Sequence, residues 1–437
     1  MTGTLKPLSQ RPETTPWRWP RAVEQRFNAD TSDYQGAEVG CDCGHTARYR
    51  GRRRKCFETV LGRLGLERAY HHCPACGHGH CPRDRLLGPH GRGLSPGLVR
   101  MVGQVGARVR FAEGSVLLQE LAAVNIEAKQ VERVAERLGR EITADDAGGH
   151  IPAQAPSAET MYLGMDGTGI PMRSEALAGR PGKQPDGSAR TREVKLVTLW
   201  SAEQHDGSGV PVRDPGSITY SAAIESAFSH DSNPHPSAFA QRVWREAHRR
   251  GFDQAKRQVV LGDGAAWIWN LADEQFPGAI QILDLYHVKE HLHEVARAVY
   301  GLDSELGRQW AKQRCEELEQ GQFKALIKAL QDHADRQQDQ ARKCIAYLKR
   351  NRHRIRYPEF RAQGLCVSTG VVEAGCKVAT GTRLKNAGMR WSVAGANAII
   401  ALRCCHISDR FDAFWVRRSS ACQSDSTRSA PTIAATG

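Results

Sequence analysis

The chain has 437 residues, more than one small core requires, so roughly two to four domains are expected, one of them of catalytic size. Lys and Arg outnumber Asp and Glu by 61 to 48, a net charge of +13, which favours a polyanionic partner such as nucleic acid; a merely soluble basic protein is the plain alternative. No apolar run reaches membrane-spanning length and the opening MTGTLKPLSQRPETTPWRWP lacks a charged-then-apolar leader, so the expected location is cytoplasmic, with no membrane partner.

Residues 1–35 are polar and without periodicity, and 418–437 are rich in Ser, Thr and Ala; both ends are expected to be disordered. Of the 13 cysteines, Cys41, Cys43, Cys56, Cys73, Cys76 and Cys81 crowd one segment, which in a reducing compartment points to metal ligation rather than disulfides. Cys41-Asp-Cys43-Gly-His and Cys73-Pro-Ala-Cys76-Gly-His are two short ligand pairs joined by strand-like sequence, the pattern of a zinc ribbon over 36–90 with Zn²⁺ on Cys41, Cys43, Cys73 and Cys76. The first pair is one residue tighter than a usual knuckle, so His45, Cys56 or Cys81 are alternative ligands. Arg53 and Arg54, within the basic stripe Arg50–Lys55, suit phosphate contacts or a solvated face.

Over 91–140, Val116, Leu117 and Leu121, then Val131, Val134 and Leu138, sit at helical spacing around the break Val124-Asn125-Ile126. Two short amphipathic helices about such a turn fit a helix-turn-helix, with Lys129, Gln130 and Arg133 placed to reach DNA; a helical hairpin in a core gives a similar pattern. Residues 141–160 carry Gly, Pro and Ala without an apolar stripe and read as a linker.

From 161 the pattern alternates. Strands are expected around MYLGMDG, VKLVTLW, SITYSA, QVVLGDG and AIQILD, with a helix over AFAQRVWREAHRRG. That is an α/β fold class with strands apolar enough to be buried on both faces. Its first part spans 161–285, charged helical sequence follows over 286–365, and a last part covers 366–417. Asp166 follows Met161-Tyr162-Leu163, Asp263 follows Val259-Val260-Leu261, and Glu373 opens a helix. Acids at strand ends with small neighbours leave room for hydrated cations and phosphate, as a two-metal centre of Mg²⁺ or Mn²⁺ requires. Taken singly, the two aspartates also fit turns, and Glu373 fits a helix start.

Together, Met-Asp-Gly-Thr-Gly at 165–169, Gly-Asp-Gly-Ala-Ala-Trp at 262–267, Asp284-Leu-Tyr-His287, and Glu373 followed by Lys377, Arg383, Lys385 and Arg390-Trp391 resemble the DDE transposases of bacterial insertion sequences. The similarity is greatest to the ISKra group, whose core is similar to that of Mutator-like transposases, and it runs from about residue 36 to 415. It implies an RNase H-like core interrupted by an all-helical insertion before the last acid, with Asp166, Asp263 and Glu373 as metal ligands. Asp284 and His287 match the family's pair near the active centre; His287 supports the site or touches DNA, or is a buried structural histidine. Lys377, Arg383, Lys385 and Arg390 are suited to clamp phosphates, and Trp391 either stacks on a base or fills the core.

On this reading the protein is a transposase, binding terminal inverted repeats and target double-stranded DNA as a homodimer or larger homo-oligomer and catalysing strand cleavage and transfer. The alternatives are a zinc-dependent DNA-binding regulator without catalysis, such as a domesticated transposase, and a metal-dependent nuclease of repair or recombination.

Overall fold

The computed structural model describes residues 18–86, 93–148, 158–182, 184–185, 187–207, 209–227, 236–334, 339–368 and 370–428. They form two compact units, one up to Ala135 and again from Phe411, the other from Glu136 to Arg410. Among the described residues no helix is long and apolar enough to cross a membrane.

The first unit begins with helix α1 (Arg18–Ala29), where disorder was expected. The helix is held by polar anchors that leave little apolar periodicity: Asn28 bonds the Gly65 carbonyl and the Glu67 amide, Glu24 takes Arg54, and Val23 packs against Phe57, Leu64 and Leu66. Residues 1–17 lie outside the described part. Strands β1 (Glu38–Gly40), β2 (Thr46–Thr59), β3 (Gly62–His72) and β4 (Gly79–His80) form an antiparallel sheet in that order. Its rim is tied by buried Asp33, which accepts from Arg52, Arg83 and the Ala69 amide.

After α2 (Pro82–Leu86) come α3 (Pro96–Arg108), α4 (Phe111–Ala122) and α5 (Ala128–Ala147). The expected apolar face of α4 is corrected: Val116 and Leu121 are 57% and 82% exposed, whereas Gly114 and Leu118 are buried. Gly114 decides the face, since a Cβ there would lie 3.2 Å from Val105 Cγ2 and 3.6 Å from Val131 Cγ1. In α5, Val131, Val134 and Leu138 are buried as their spacing requires.

The expected linker at 141–160 is also corrected at both ends. Helix α5 continues to Ala147, with Ile142 buried, and Thr160 already begins a strand. Residues 149–157 are outside the described part. The expected disorder from 418 is replaced through Arg428 by α16 (Phe411–Arg428), whose apolar residues Phe411, Phe414 and Trp415 stand at its start, so that the polar sequence beyond 418 does not announce the rest of the helix.

The second unit is built on a mixed sheet ordered β11-β10-β5-β6-β9. Strands β5 (Thr160–Pro171), β6 (Thr191–Ser201) and β9 (Thr219–Ala223) pair antiparallel, while β10 (Arg257–Gly262) and β11 (Ile280–Leu283) run parallel to β5. A small hairpin, β7 (Gln204–His205) with β8 (Pro211–Val212), follows β6. Residues 160–165 of β5 are buried without alternation, as expected of a central strand covered on both faces. Helices α6 (Ala238–Arg249) and α7 (Ala266–Gln275) flank β10 in sequence.

Five helices follow β11: α8 (Leu285–Tyr300), α9 (Glu305–Glu319), α10 (Phe323–Ala334), α11 (Asp339–Arg350) and α12 (Tyr357–Ala362). The chain then forms α13 (Gly370–Cys376), a π-turn (Lys377–Gly381), α14 (Thr382–Leu384) and α15 (Val393–Ile407). Within the second unit, Gly139 packs closely on α15, where a Cβ on it would meet the Ala398 carbonyl oxygen.

Candidate functional site

In the parallel register of β5 on β10, Met165 faces Gly262, so Asp166, within β5, and Asp263, just past the end of β10, stand at one level. Each carboxylate already takes a local amide: Asp166 Oδ1 accepts from Gly167 N at 2.6 Å, and Asp263 Oδ1 from Ala265 N at 2.8 Å. The second is the Asx-turn geometry that Asp-Gly favours, whereas Asp166 stays in the extended backbone of β5, paired with Leu196; both bonds fix the carboxylates and leave oxygen lone pairs available.

Helix α13 brings Glu373 to the same face. A Cβ on Gly164 would lie 2.1 Å from Val372 Cγ2, and one on Gly375 within 3.0 Å of Tyr220 and Leu196. Both small residues let the helix settle directly on β5 and β6. Because side chains alternate along a strand, Gly164, Asp166 and Thr168 share that face. Farther along the same segment, Lys385 Nζ donates to Thr168 Oγ1. The π-turn between Glu373 and Lys385 is braced by Arg403 of α15, which donates to the Val378 carbonyl and to Thr382 Oγ1. Such turns occur often at functional sites.

Charge is concentrated here. Burial raises the Asp166 carboxyl above its ordinary range; a hydrogen bond from the Cys376 thiol and the Gly167 amide oppose this, and the carboxylates of Asp263 and Glu373 add to it. The Cys376 thiol is itself pushed up, by burial first and then by Asp166. Glu373 is exposed and pairs with Lys377 at 3.4 Å. Among the described residues only four cysteines converge as a ready-made metal cluster; the three acids share a face but do not close to that degree.

The remaining predicted residues separate. Asp284 is the buried N-cap of α8, accepting from the His287 amide at 2.6 Å, so the Asp-x-x-His spacing is also a capping geometry. The His287 ring is half-buried, 3.7 Å from Glu290 and edge-on to His291. Lys377, Lys385 and Arg390 are exposed. Arg383 is corrected: it is fully buried, its guanidinium lies 5.6 Å from the Trp391 ring, and it donates towards Met389 Sδ. Facing inward, it does not present a phosphate clamp. Trp391 is buried as well, donating its indole N–H to the Leu384 carbonyl.

Two residues at the acids escaped the sequence reading. Cys376 lies one helical turn beyond Glu373, a spacing that would have flagged it. Tyr347 of α11 meets Gly264 beside Asp263, and nothing in its local sequence announces that.

In the first unit, Cys41, Cys43, Cys73 and Cys76 bring their sulfurs within 4.8 Å of one another. Two separations, Cys41–Cys76 at 3.6 Å and Cys43–Cys73 at 3.7 Å, match the roughly 3.8 Å edge of a tetrahedron with zinc–sulfur bonds of about 2.3 Å. Two similar turns achieve this. The Cys41 amide bonds the His45 carbonyl and the Cys73 amide that of His78, while Gly44 and Gly77 take φ of +81° and +70°. The tight Cys-x-Cys spacing therefore serves, and Cys56 and Cys81 fall outside the quartet.

His45 is not in the cluster, but its backbone N–H leads the interactions that hold the Cys43 thiol down at about 6. Arg53 stacks 3.6 Å from the Tyr70 ring centroid and Arg54 pairs with Glu24 at 2.6 Å. On α5, Lys129 and Arg133 are exposed, with Lys129 2.7 Å from Glu132, and Gln130 is half-buried.

Among families, a model described as "Uncharacterised protein family (UPF0236)" matches residues 244–418, a span that includes Asp263, Asp284, His287 and Glu373. Among solved structures, the chain has a weak likeness to the Drosophila P element transposase strand transfer complex. Identity is 8% and the TM-score 0.26, over 77% of this chain and 85% of that one. No curated protein matches the chain.

Proposed function

We propose that this protein is a DNA transposase of the bacterial insertion-sequence kind, ISKra-like, whose RNase H-like core uses Asp166, Asp263 and Glu373 to hold Mg²⁺ or Mn²⁺. The observation that carries the reading is the placement of Asp166 and Asp263 on adjacent parallel strands, with α13 carrying Glu373 on the face of Asp166. The strand order, three antiparallel then two parallel, supports the core assignment. The helices of 285–362 supply the insertion that the family resemblance implies.

The donor set fits hard dications. It offers three carboxylates with small neighbours, and Asp166 has its ionisation opposed by burial and by the other two acids. When bound, the ions supply Lewis-acid activation of water or a 3′-hydroxyl and neutralise charge on the phosphate. The chain's own part is positioning and electrostatics, on which phosphoryl transfer depends. Gly167 and Ala265 amides and the Cys376 thiol orient the aspartates. Lys385, anchored at Thr168, brings a cation beside the acids, and Lys377 and Arg390 add exposed charge for the backbone of double-stranded DNA.

In the first unit the four cysteines hold Zn²⁺ and fix the sheet. Arg53 and the α5 residues Lys129, Gln130 and Arg133 recognise the terminal inverted repeats, with α4 and α5 as the helix-turn-helix. Cutting paired ends requires a dimer or higher assembly on DNA.

The test is excision from a donor plasmid with matched ends in Mg²⁺. Wild type should excise, and Asp263→Asn should bind ends normally while excising nothing; undiminished excision by the variant would sink the assignment. Wild-type end binding without any excision would favour a non-catalytic regulator.

A further inference from the structure

Two tyrosines of the helical segment approach the acidic edge of the sheet, and they differ in one respect. Tyr357 is fully buried, and its hydroxyl donates to the Leu283 carbonyl at 3.0 Å. Tyr347 also buries its hydroxyl, yet that oxygen has no hydrogen-bond partner. Its ring presses on the Asp263 loop: a Cβ on Gly264 would lie 2.3 Å from Tyr347 Cε2 and 2.6 Å from Oη. The position is defined from the other side by His291, 4.5 Å away between ring centroids. Gly264 is the immediate neighbour of Asp263, so the orphaned hydroxyl lies beside that acid's loop; after burial itself, the carboxylates of Asp263 and Asp284 raise the phenol above its ordinary range.

A buried hydroxyl without a partner costs about 1–3 kcal/mol, and such groups commonly mark an ordered water or an ion. Loose packing does not account for it, because Gly264 is the one residue type that admits the ring so close. Groups beyond the direct ligands orient a metal's shell, and their loss typically lowers metal affinity about 10–100-fold.

We propose that Tyr347 is a positioning residue of the cation site, its hydroxyl holding an ordered water shared with the Asp263 carboxylate. Through it the helical segment takes part in metal binding at the sheet. This rests on the cation-binding role given above to Asp166, Asp263 and Glu373.

The test uses the zinc-loaded full-length protein, titrated calorimetrically with Mn²⁺ alone and melted with and without Mn²⁺. Tyr347→Phe removes only the oxygen. It should bind Mn²⁺ about 10–100-fold more weakly, while its melting temperature without Mn²⁺ stays level or rises. Wild-type Mn²⁺ affinity in this variant overturns the proposal. So does a fall in melting temperature that is equal with and without Mn²⁺, since that marks simple packing. Asp263→Asn runs in parallel and should lose the site. If it keeps wild-type affinity, the cation-binding role of the acids fails, independently of the Tyr347 result.

Discussion

The cysteine quartet and the acidic face are both candidate metal sites, yet they are built in opposite ways. The four thiols are drawn to tetrahedral spacing by two similar turns that differ by one residue in length. The three carboxylates share a face but stay apart, two engaged by local amides and the third by Lys377. Thiols share protons and pack closely without a cation, whereas carboxylates at neutral pH repel until a cation joins them. A closed set suits a structural ion that occupies every position; an open set suits ions that must also receive substrate.

The largest effect that would break this comparison lies at zinc. Cys73 is fully buried, and metal binding in zinc-finger peptides is worth about 10–16 kcal/mol. Cys73→Ser should therefore lose bound zinc, measured by elemental analysis of native protein, along with the protease resistance of the 38–80 sheet and binding to transposon ends. The exposed Cys56→Ser, outside the quartet, should retain all three. Equal behaviour of the two variants would remove the quartet from its structural role.

A smaller effect separates basic residues that look alike in sequence. Arg383→Ala empties a fully buried site and should destabilise by about 3 kcal/mol or more, read by denaturant unfolding. Exposed Lys385→Ala should change stability by less than about 1 kcal/mol while weakening DNA binding and lowering its salt dependence by roughly one phosphate contact. Reversed outcomes would return Arg383 to the phosphate-facing set.

Those two residues also mark the limit of what the sequence discloses. Strands β5 and β10 were legible because apolar runs end at Asp166 and Asp263, and the cysteine quartet because its ligand spacing is short and local. Arg383 was misread because a basic run is ordinarily solvated, and its burial depends on Trp391 and Met389 folding back over it. The buried face of α4 turned on Gly114, which carries no apolar signal but permits close approach. Helix α1 was missed because Asn28 and Glu24, rather than a stripe, hold it down. The meeting of Tyr347 with Gly264 joins residues far apart along the chain, through tertiary packing that no local period encodes.

The smallest effect tests the open site by its own charge. Burial above all, with Asp263 and Glu373 adding to it, raises the folded-state Asp166 carboxyl above its ordinary value of 3.8. Between that value and the raised one, the folded chain holds a proton that the unfolded chain has released. Stability from this group is therefore intact below 3.8, falls as pH rises through the window, and stays reduced above it. Asp166→Asn removes the ionisation. In zinc-loaded protein without Mg²⁺ at pH 7 it should melt higher than wild type, by about 2 °C, with a flatter pH profile. Saturating Mg²⁺ should reverse the order, because only the wild-type carboxylate gains a cation. If the variant melts lower in both conditions, the bonds from Gly167 and Cys376 outweigh the repulsion. The acidic face would then be a finished structural feature like the cysteine quartet, and the contrast between closed and open sites would fail.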